Sequence, residues 1–429
     1  MTGNRTDTMI IGAGMAGLTA ARALAEAGQH VLILEARDRI GGRIHTQHVG
    51  SEALELGAEF IHGRPPELWA LIEEAGLATY ERDGAKLCFE ADELRECGNT
   101  REEIFHPLEA LEDLTGPDIS FAQYLNRMQL PDEERDAIIG YVEGFNAADH
   151  REISAASLRA QQKAEESIEG NRIYRLREGY DQLPAYLANR IAEYKGSIRL
   201  NTPVREIRWQ PAHVEAFTDA GSFTARRAVV TLPLAVLQRG SVAITPSPEA
   251  VLQAASHLRM GQVCRFTLLF REPFWKHLPP QPALQNLSFL YSFSQMPPVW
   301  WTPHPEPGNS ITGWVGGPRS SALTCLCSDD LAHHACASLA RIFSLDAASF
   351  HQSLLGCYTH DWQHDPFALG AYSYVAAGGL DAPRQMIEPV GNTLFFAGEH
   401  TDTTGHWGTV HAAMRSGLRA AAQILDTPD

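Results

Sequence analysis

Three glycines and one glutamate near the start of the chain have the types and spacing to hold a dinucleotide. Gly12, Gly14 and Gly17 form a GxGxxG run, and Glu35 stands eighteen residues past Gly17. In such a run the first glycine permits a tight turn and the second lets backbone N–H groups approach a pyrophosphate. The third brings the following helix against the sheet. The helix N-terminus then adds free donors and partial positive charge. A carboxylate at the end of the next strand takes ribose hydroxyls. The elements that must position these residues are legible around them. Residues 9–11 read as a buried parallel strand, 18–27 as an Ala/Leu-rich helix ended by Gly28, and 31–34 as a second strand. The motif sits in its expected strand–turn–helix–strand setting, so chance is a poor competitor.

The loop after Glu35 continues Ala-Arg-Asp-Arg-Ile-Gly-Gly-Arg43. Gly41 and Gly42 let a ligand approach the backbone, and Arg43 has the reach to meet a phosphate or a flavin edge. A plain turn after a strand is the competing reading. The ligand-facing reading selects FAD over NAD.

The rest of the composition bounds the possibilities. A chain of 429 residues is long enough for two or three domains or one interleaved architecture. A net charge of −17 argues against a nucleic-acid binder, which needs Lys and Arg for phosphates. The acidity attracts cationic ligands or simply confers solubility. No apolar run reaches the ~18 residues that span a bilayer, and the polar start lacks the shape of a signal peptide. A cytoplasmic protein without membrane contact is the expectation. Seven irregularly spaced cysteines read as reduced, mostly buried thiols. Cys325, Cys327, His333, His334 and Cys336 lack paired CxxC knuckles and lie at the spacing of an amphipathic helix, so no metal is expected there.

Taken together, these motifs resemble the flavin amine oxidase family, which includes monoamine oxidases, polyamine oxidases and the flavin histone lysine demethylase. The resemblance rests on Ile10-Ile-Gly-Ala-Gly-Met-Ala-Gly-Leu-Thr-Ala-Ala and Leu34-Glu-Ala-Arg-Asp-Arg-Ile-Gly-Gly-Arg43. It continues through Glu55-Leu-Gly-Ala-Glu-Phe-Ile-His-Gly63, Leu394-Phe-Phe-Ala-Gly-Glu-His400 and Thr409-Val-His-Ala-Ala-Met-Arg-Ser-Gly-Leu-Arg-Ala-Ala421. The Ile-His-Gly ending of the second block is most similar to polyamine oxidases.

The resemblance implies an α/β fold: a Rossmann-type FAD-binding domain interleaved with an α+β substrate-binding domain. FAD-binding segments fall at 1–80, 196–262 and 376–429, and substrate segments at 81–195, read as helical, and 263–375. Within 197–231 the alternation suggests five short strands, and 278–282 and 296–308 read as loops. The implied cofactor set is Gly12, Gly14, Ala16, Gly17, Glu35, Arg37, Gly42, Arg43, Glu59, Phe60, Val204, Glu399, Thr409 and Val410. Ala371 stands where monoamine oxidases carry the cysteine that bonds to flavin, so the FAD is expected to be non-covalent. Tyr372 matches one wall of an aromatic sandwich, Thr409 replaces the other, Trp407 offers further aromatic area, and His62 lies at the substrate mouth. Arg265 stands where the family places a lysine that holds a water near flavin N5.

The implied activity is FAD-dependent oxidation of a C–N bond by hydride transfer to flavin N5. An imine and then a carbonyl compound form, and molecular oxygen yields hydrogen peroxide. Polyamine-like or secondary amines are favoured. Because of Arg265, oxidation or desaturation of a non-amine substrate is the alternative within the superfamily. A flavin-binding partner protein with reduced catalysis is the alternative of another class.

Overall fold

The computed structural model describes residues 6–97, 101–278, 282–324 and 326–427. The first strand β1 (Thr6–Ile11), helix α1 (Met15–Glu26) and strand β2 (Val31–Leu34) form the expected unit. β1 lies in parallel between β2 and the strand Gly221–Val230, with Ile10 opposite Ile33 and Val229. All four residues of β2 are buried, as a strand covered on both faces requires. Helix α1 ends at Ala27, and Gly28 follows at φ +89°, a left-handed cap that suits glycine.

Strands from three separated parts of the chain complete this sheet. Its order is Ser197–Arg199, β2, β1, Gly221–Val230, His213–Thr218, Val204–Gln210 and Ala243–Thr245, and Leu394–Phe396 pairs in parallel with Gly221–Val230. The two short strands expected within 222–231 are one ten-residue strand. Its first half pairs with an antiparallel neighbour, its second half with β1 and Leu394–Phe396. Its uninterrupted burial near the end reflects that central place.

A second sheet runs Leu354–Thr359, Val263–Phe270, Ser310–Gly316, Val299–Trp301, Leu287–Tyr291, Ala85–Glu90 and Glu93–Glu96. Two expectations change here. The run 296–308 is not all loop, because Val299–Trp301 forms a strand whose Trp300 is fully buried. The stretch 81–195 is not uniformly helical. It gives two strands to this sheet, and Ile173–Leu176 bridges Ile61–His62 and Thr79–Glu81 through buried Tyr174 and Leu176. Helix Gln182–Glu193 buries Leu183, Leu187 and Ile191 in the same core as α1, so its packing belongs to the first sheet.

The cysteine expectation also changes. Cys88 and Cys97 are joined by a disulfide across the hairpin Ala85–Glu90/Glu93–Glu96, whose register brings the two together. Cys264, Cys327, Cys336 and Cys357 are free. Cys327 caps the helix Ser328–Ile342, Cys336 is buried in the second core, and Cys325 lies outside the described residues.

The C-terminal helix Val410–Asp426 packs on α1. Gly417 makes this approach possible, since a Cβ there would collide with the Ala16 carbonyl oxygen. Gly417→Val should therefore cost about 1–3 kcal/mol of packing. The same change at the exposed neighbour Leu418 serves as the control. Equal denaturation midpoints for the two variants would contradict this account.

Candidate active site

A continuous cavity of about 1330 Å³ joins the two sheets. Its size exceeds the ~300–1,000 Å³ of a pocket for one drug-sized ligand. One end is lined by Gly12, Gly14, Glu35 and Arg37, the other by Tyr372, Trp407, Phe60 and His62.

The glycine end is shaped to receive a phosphate. Gly14 and Gly41 form an isolated parallel bridge, and the Cα of Gly14 would lie 3.2 Å from a Cβ on Gly42. A side chain at Gly17 would strike the Gly12 carbonyl oxygen. Arg39 donates to the carbonyls of Ile40, Gly42 and Ile44, which fixes the Gly41–Gly42 turn. Helix α1 starts at Gly14 with no side-chain cap and no acid in its first turn, so its first N–H groups stay available. Ala16 lies in that first turn and lines the cavity. Glu35 is buried, and its two oxygens accept the N–H groups of Ala13 and Arg37 at 2.7 and 2.9 Å. Each oxygen keeps a lone pair for a ligand hydroxyl. Arg37 pairs with Asp365 at 2.6 Å beside the Phe367 ring, and Val204 lines the same end. These donors and this cradle fit the pyrophosphate and ribose of FAD.

The N- and C-terminal segments meet at one ion pair. Arg43 donates to Glu399 Oε1 at 2.8 Å and to the Ala371 carbonyl at 2.8 Å. Glu399 also accepts from the Ser373 N–H and hydroxyl and from the Gly408 N–H. Burial raises the Glu399 carboxyl, but Arg43, His400 and the Ser373 hydroxyl together hold the group below the usual carboxylate range. With four protein donors, Glu399 organises the loop before the last helix rather than offering a free oxygen to a ligand. At that helix the Thr409 hydroxyl accepts the Ala412 N–H and donates to the His406 carbonyl. It is used as a cap, which leaves the N–H groups of Val410 and His411 without an intrahelical partner.

At the opposite wall the expected roles of Glu59 and Arg265 take a different form. Arg265 is buried, donates to the Gly57 carbonyl at 2.6 Å and is ion-paired with Glu59. Glu59 also meets Arg175 at 3.1 Å and the Trp301 indole N–H at 3.0 Å. Its burial would raise the carboxyl, yet Arg175, Arg265 and Arg82 together hold it low. The Glu59 carboxylate is thus turned into this cluster, not towards the glycine end. Phe60 joins the same wall, its ring 5.2 Å from Trp301 and 6.3 Å from His62.

Tyr372 is fixed by a 2.7 Å hydrogen bond to the Phe145 carbonyl. Its ring packs against Gly408, where a Cβ would lie 2.8 Å from Tyr372 Cδ2. His62 lies 5.6 Å from the Phe145 ring, and burial holds its imidazole down at about 4. Sequence reading missed Phe145, Arg175 and Trp301, which no local motif marks. It also missed the polar cavity-facing side of helix Ala155–Glu166, whose spacing in sequence equals that of a solvated face.

Because its folded carboxyl is depressed, Glu399 stabilises the protein above the ordinary carboxylate range and loses that contribution as pH falls through its lowered value. Glu399→Gln should cost about 3 kcal/mol at neutral pH, the low end for a broken buried pair, since Arg43 keeps some solvent. The gap from the unsubstituted protein should close on acidification. A gap independent of pH in denaturant titrations would refute the ion-pair assignment.

Residues 15–133 and 100–425 match the family described as "Flavin containing amine oxidoreductase". The chain is 30% identical to polyamine oxidase 3 of Oryza sativa subsp. japonica, over 97% of this chain and 88% of the relative. It is 29% identical to polyamine oxidase 2 of Arabidopsis thaliana, over 96% of this chain and 86% of the relative. Its fold matches a solved putrescine oxidase with putrescine bound at a TM-score of 0.84, with 23% identity and 99% of each chain covered. A matched family spanning nearly the whole chain, with the glycine cradle and the two-sheet cavity in place, makes this protein a member of the flavin-containing amine oxidoreductases.

Proposed function

We propose that the chain oxidises a polyamine-like or secondary amine, with FAD held non-covalently and molecular oxygen as electron acceptor. The observation that carries this reading is the single cavity that runs from the glycine cradle to the Tyr372–Phe60 end. Bound FAD supplies two-electron oxidation of the substrate's C–N bond, giving an imine that water hydrolyses to a carbonyl product, while O₂ becomes hydrogen peroxide. The protein's part is to bind, orient and provide electrostatics.

Gly12, Gly14, Gly17 and the start of α1 would hold the pyrophosphate, and Glu35 the ribose. The N-terminus of the last helix, at Val410 and His411, would offer partial positive charge to the negative charge of a reduced flavin. Ala371 offers no nucleophilic atom for a covalent link. Tyr372 gives the substrate a rigid aromatic wall. A neutral imidazole has one acceptor nitrogen, so His62 can take an amine N–H. A neutral His62 also adds no charge to repel a cation.

The non-amine alternative needs Arg265 to face an acidic substrate. That guanidinium already has Glu59 as counter-ion, which favours the amine reading.

Anaerobic mixing of the yellow holoprotein with an amine panel tests the proposal. Bleaching of the flavin by amines, followed by hydrogen peroxide on admission of air, is expected. Bleaching by a non-amine alone would reject it. Tyr372→Ala should lower kcat/KM by about tenfold at unchanged flavin content, the scale of a lost aromatic contact. Tyr372→Phe, which loses only the bond to Phe145, should retain most of the activity.

A further inference from the structure

Part of the cofactor end of the cavity is built by a segment whose sequence reads as substrate-binding. The strand Leu354–Thr359 at the edge of the second sheet leads into a run of turns, 360–370. Trp362, Pro366 and Phe367 of this run line the cavity. The Arg37 guanidinium carbon lies 5.4 Å from the centre of the Phe367 ring. Arg37 stands two residues past Glu35, so Phe367 sits at the glycine end.

One carboxylate holds the turn in this place. The Asp365 side chain is only 8% exposed. Its Oδ2 accepts from Arg37 at 2.6 Å and lies 2.7 Å from Nε2 of His360. Its Oδ1 accepts the Phe367 N–H at 2.8 Å. Its carbonyl oxygen accepts the N–H groups of Ala368 and Leu369, so one residue closes the turn with both backbone and side chain. Nearby, buried Trp362 donates its indole N–H to the Leu56 carbonyl at 2.7 Å. Burial would raise the Asp365 carboxyl, but His360 and Arg37 hold it well below the usual carboxylate range.

The pair between Arg37 and Asp365 joins residues 328 positions apart, one on the loop of the dinucleotide cradle and one beyond the second sheet. Withdrawing two charges from water largely offsets their attraction, so packing alone gives little reason for a pair here. A clasp between the two parts of the site does. Asp361 in the same turn is different: it pairs with its neighbour His364 at the surface.

We propose that Asp365 is a positioning residue for cofactor retention, which by clasping Arg37 holds Pro366 and Phe367 over the ribose and pyrophosphate of FAD, so that the cofactor leaves only when the clasp opens. A non-covalent cofactor has to be kept by the shape of its site, and this turn supplies cover that the glycine cradle lacks. The proposal is independent of which amine is oxidised.

Release of FAD from the holoprotein, followed by the rise of flavin fluorescence after dilution, tests this. Asp365→Asn keeps the shape and removes the charge. It should release FAD at least about tenfold faster, as loss of a charge-assisted hydrogen bond gives. Phe367→Ala removes the cover itself and should speed release similarly. Asp361→Asn should stay within about twofold of the unsubstituted protein. Because Asp365 acts through Phe367, the double variant should release FAD about as fast as Asp365→Asn alone. Unchanged release from Asp365→Asn or Phe367→Ala, equal acceleration by Asp361→Asn, or multiplied effects in the double variant would each overturn the clasp. Should Asp365→Asn fail to fold, Phe367→Ala decides by itself. FAD that stays with the denatured chain would overturn the non-covalent reading, and the clasp with it.

Discussion

The ion pair between half-buried Arg43 and buried Glu399 is the interaction on which the site's construction depends. It joins residues 356 positions apart, one after the second strand and one after the last. Two charges withdrawn from water need each other and further hydrogen bonds. Glu399 meets that need by collecting donors from Ser373 and Gly408 as well as Arg43. The bond to Ala371 ties Arg43 to the segment that carries Tyr372. One carboxylate thus fixes the loop that aims the last helix, the position of the aromatic wall and the end of the glycine loop.

A second buried cluster shapes the facing wall. Glu59 gathers Arg265, Arg175 and Trp301, drawn from three different parts of the chain. The guanidinium of Arg265 is committed to a carboxylate and to the Gly57 carbonyl, and a planar, permanently charged group in that arrangement is not a substitute for a lysine ammonium. The wall it builds is aromatic on its cavity side, through Phe60 and Trp301. Electrostatic stability and substrate shape are served by the same residues here, so the arginine is better understood as scaffold than as a vacant anion receptor.

Much of the cofactor end is written locally. The glycine spacing, the flanking strand and helix, and Glu35 all lie within a few turns of one another, and period and turn chemistry determine them. The substrate end was less legible. Tyr372, His62 and Thr409 were singled out by resemblance, but nothing local shows that the Thr409 hydroxyl is spent on a cap or that Glu59 turns to Arg265. The disulfide between Cys88 and Cys97 escaped notice because only the hairpin register brings the two sulfurs together.

The sequence by itself determined the dinucleotide cradle, the parallel strands around it and the family, because glycine conformations and hydrophobic periods act over short distances. Only the tertiary structure decided which charges are neutralised by neighbours. Glu59, Glu165 and Glu399 are the same side chain in the sequence. Their differences come from what the fold packs against each: two arginines and an indole around the first, among the described residues no cation beside the second, and one arginine with a set of loop donors around the third.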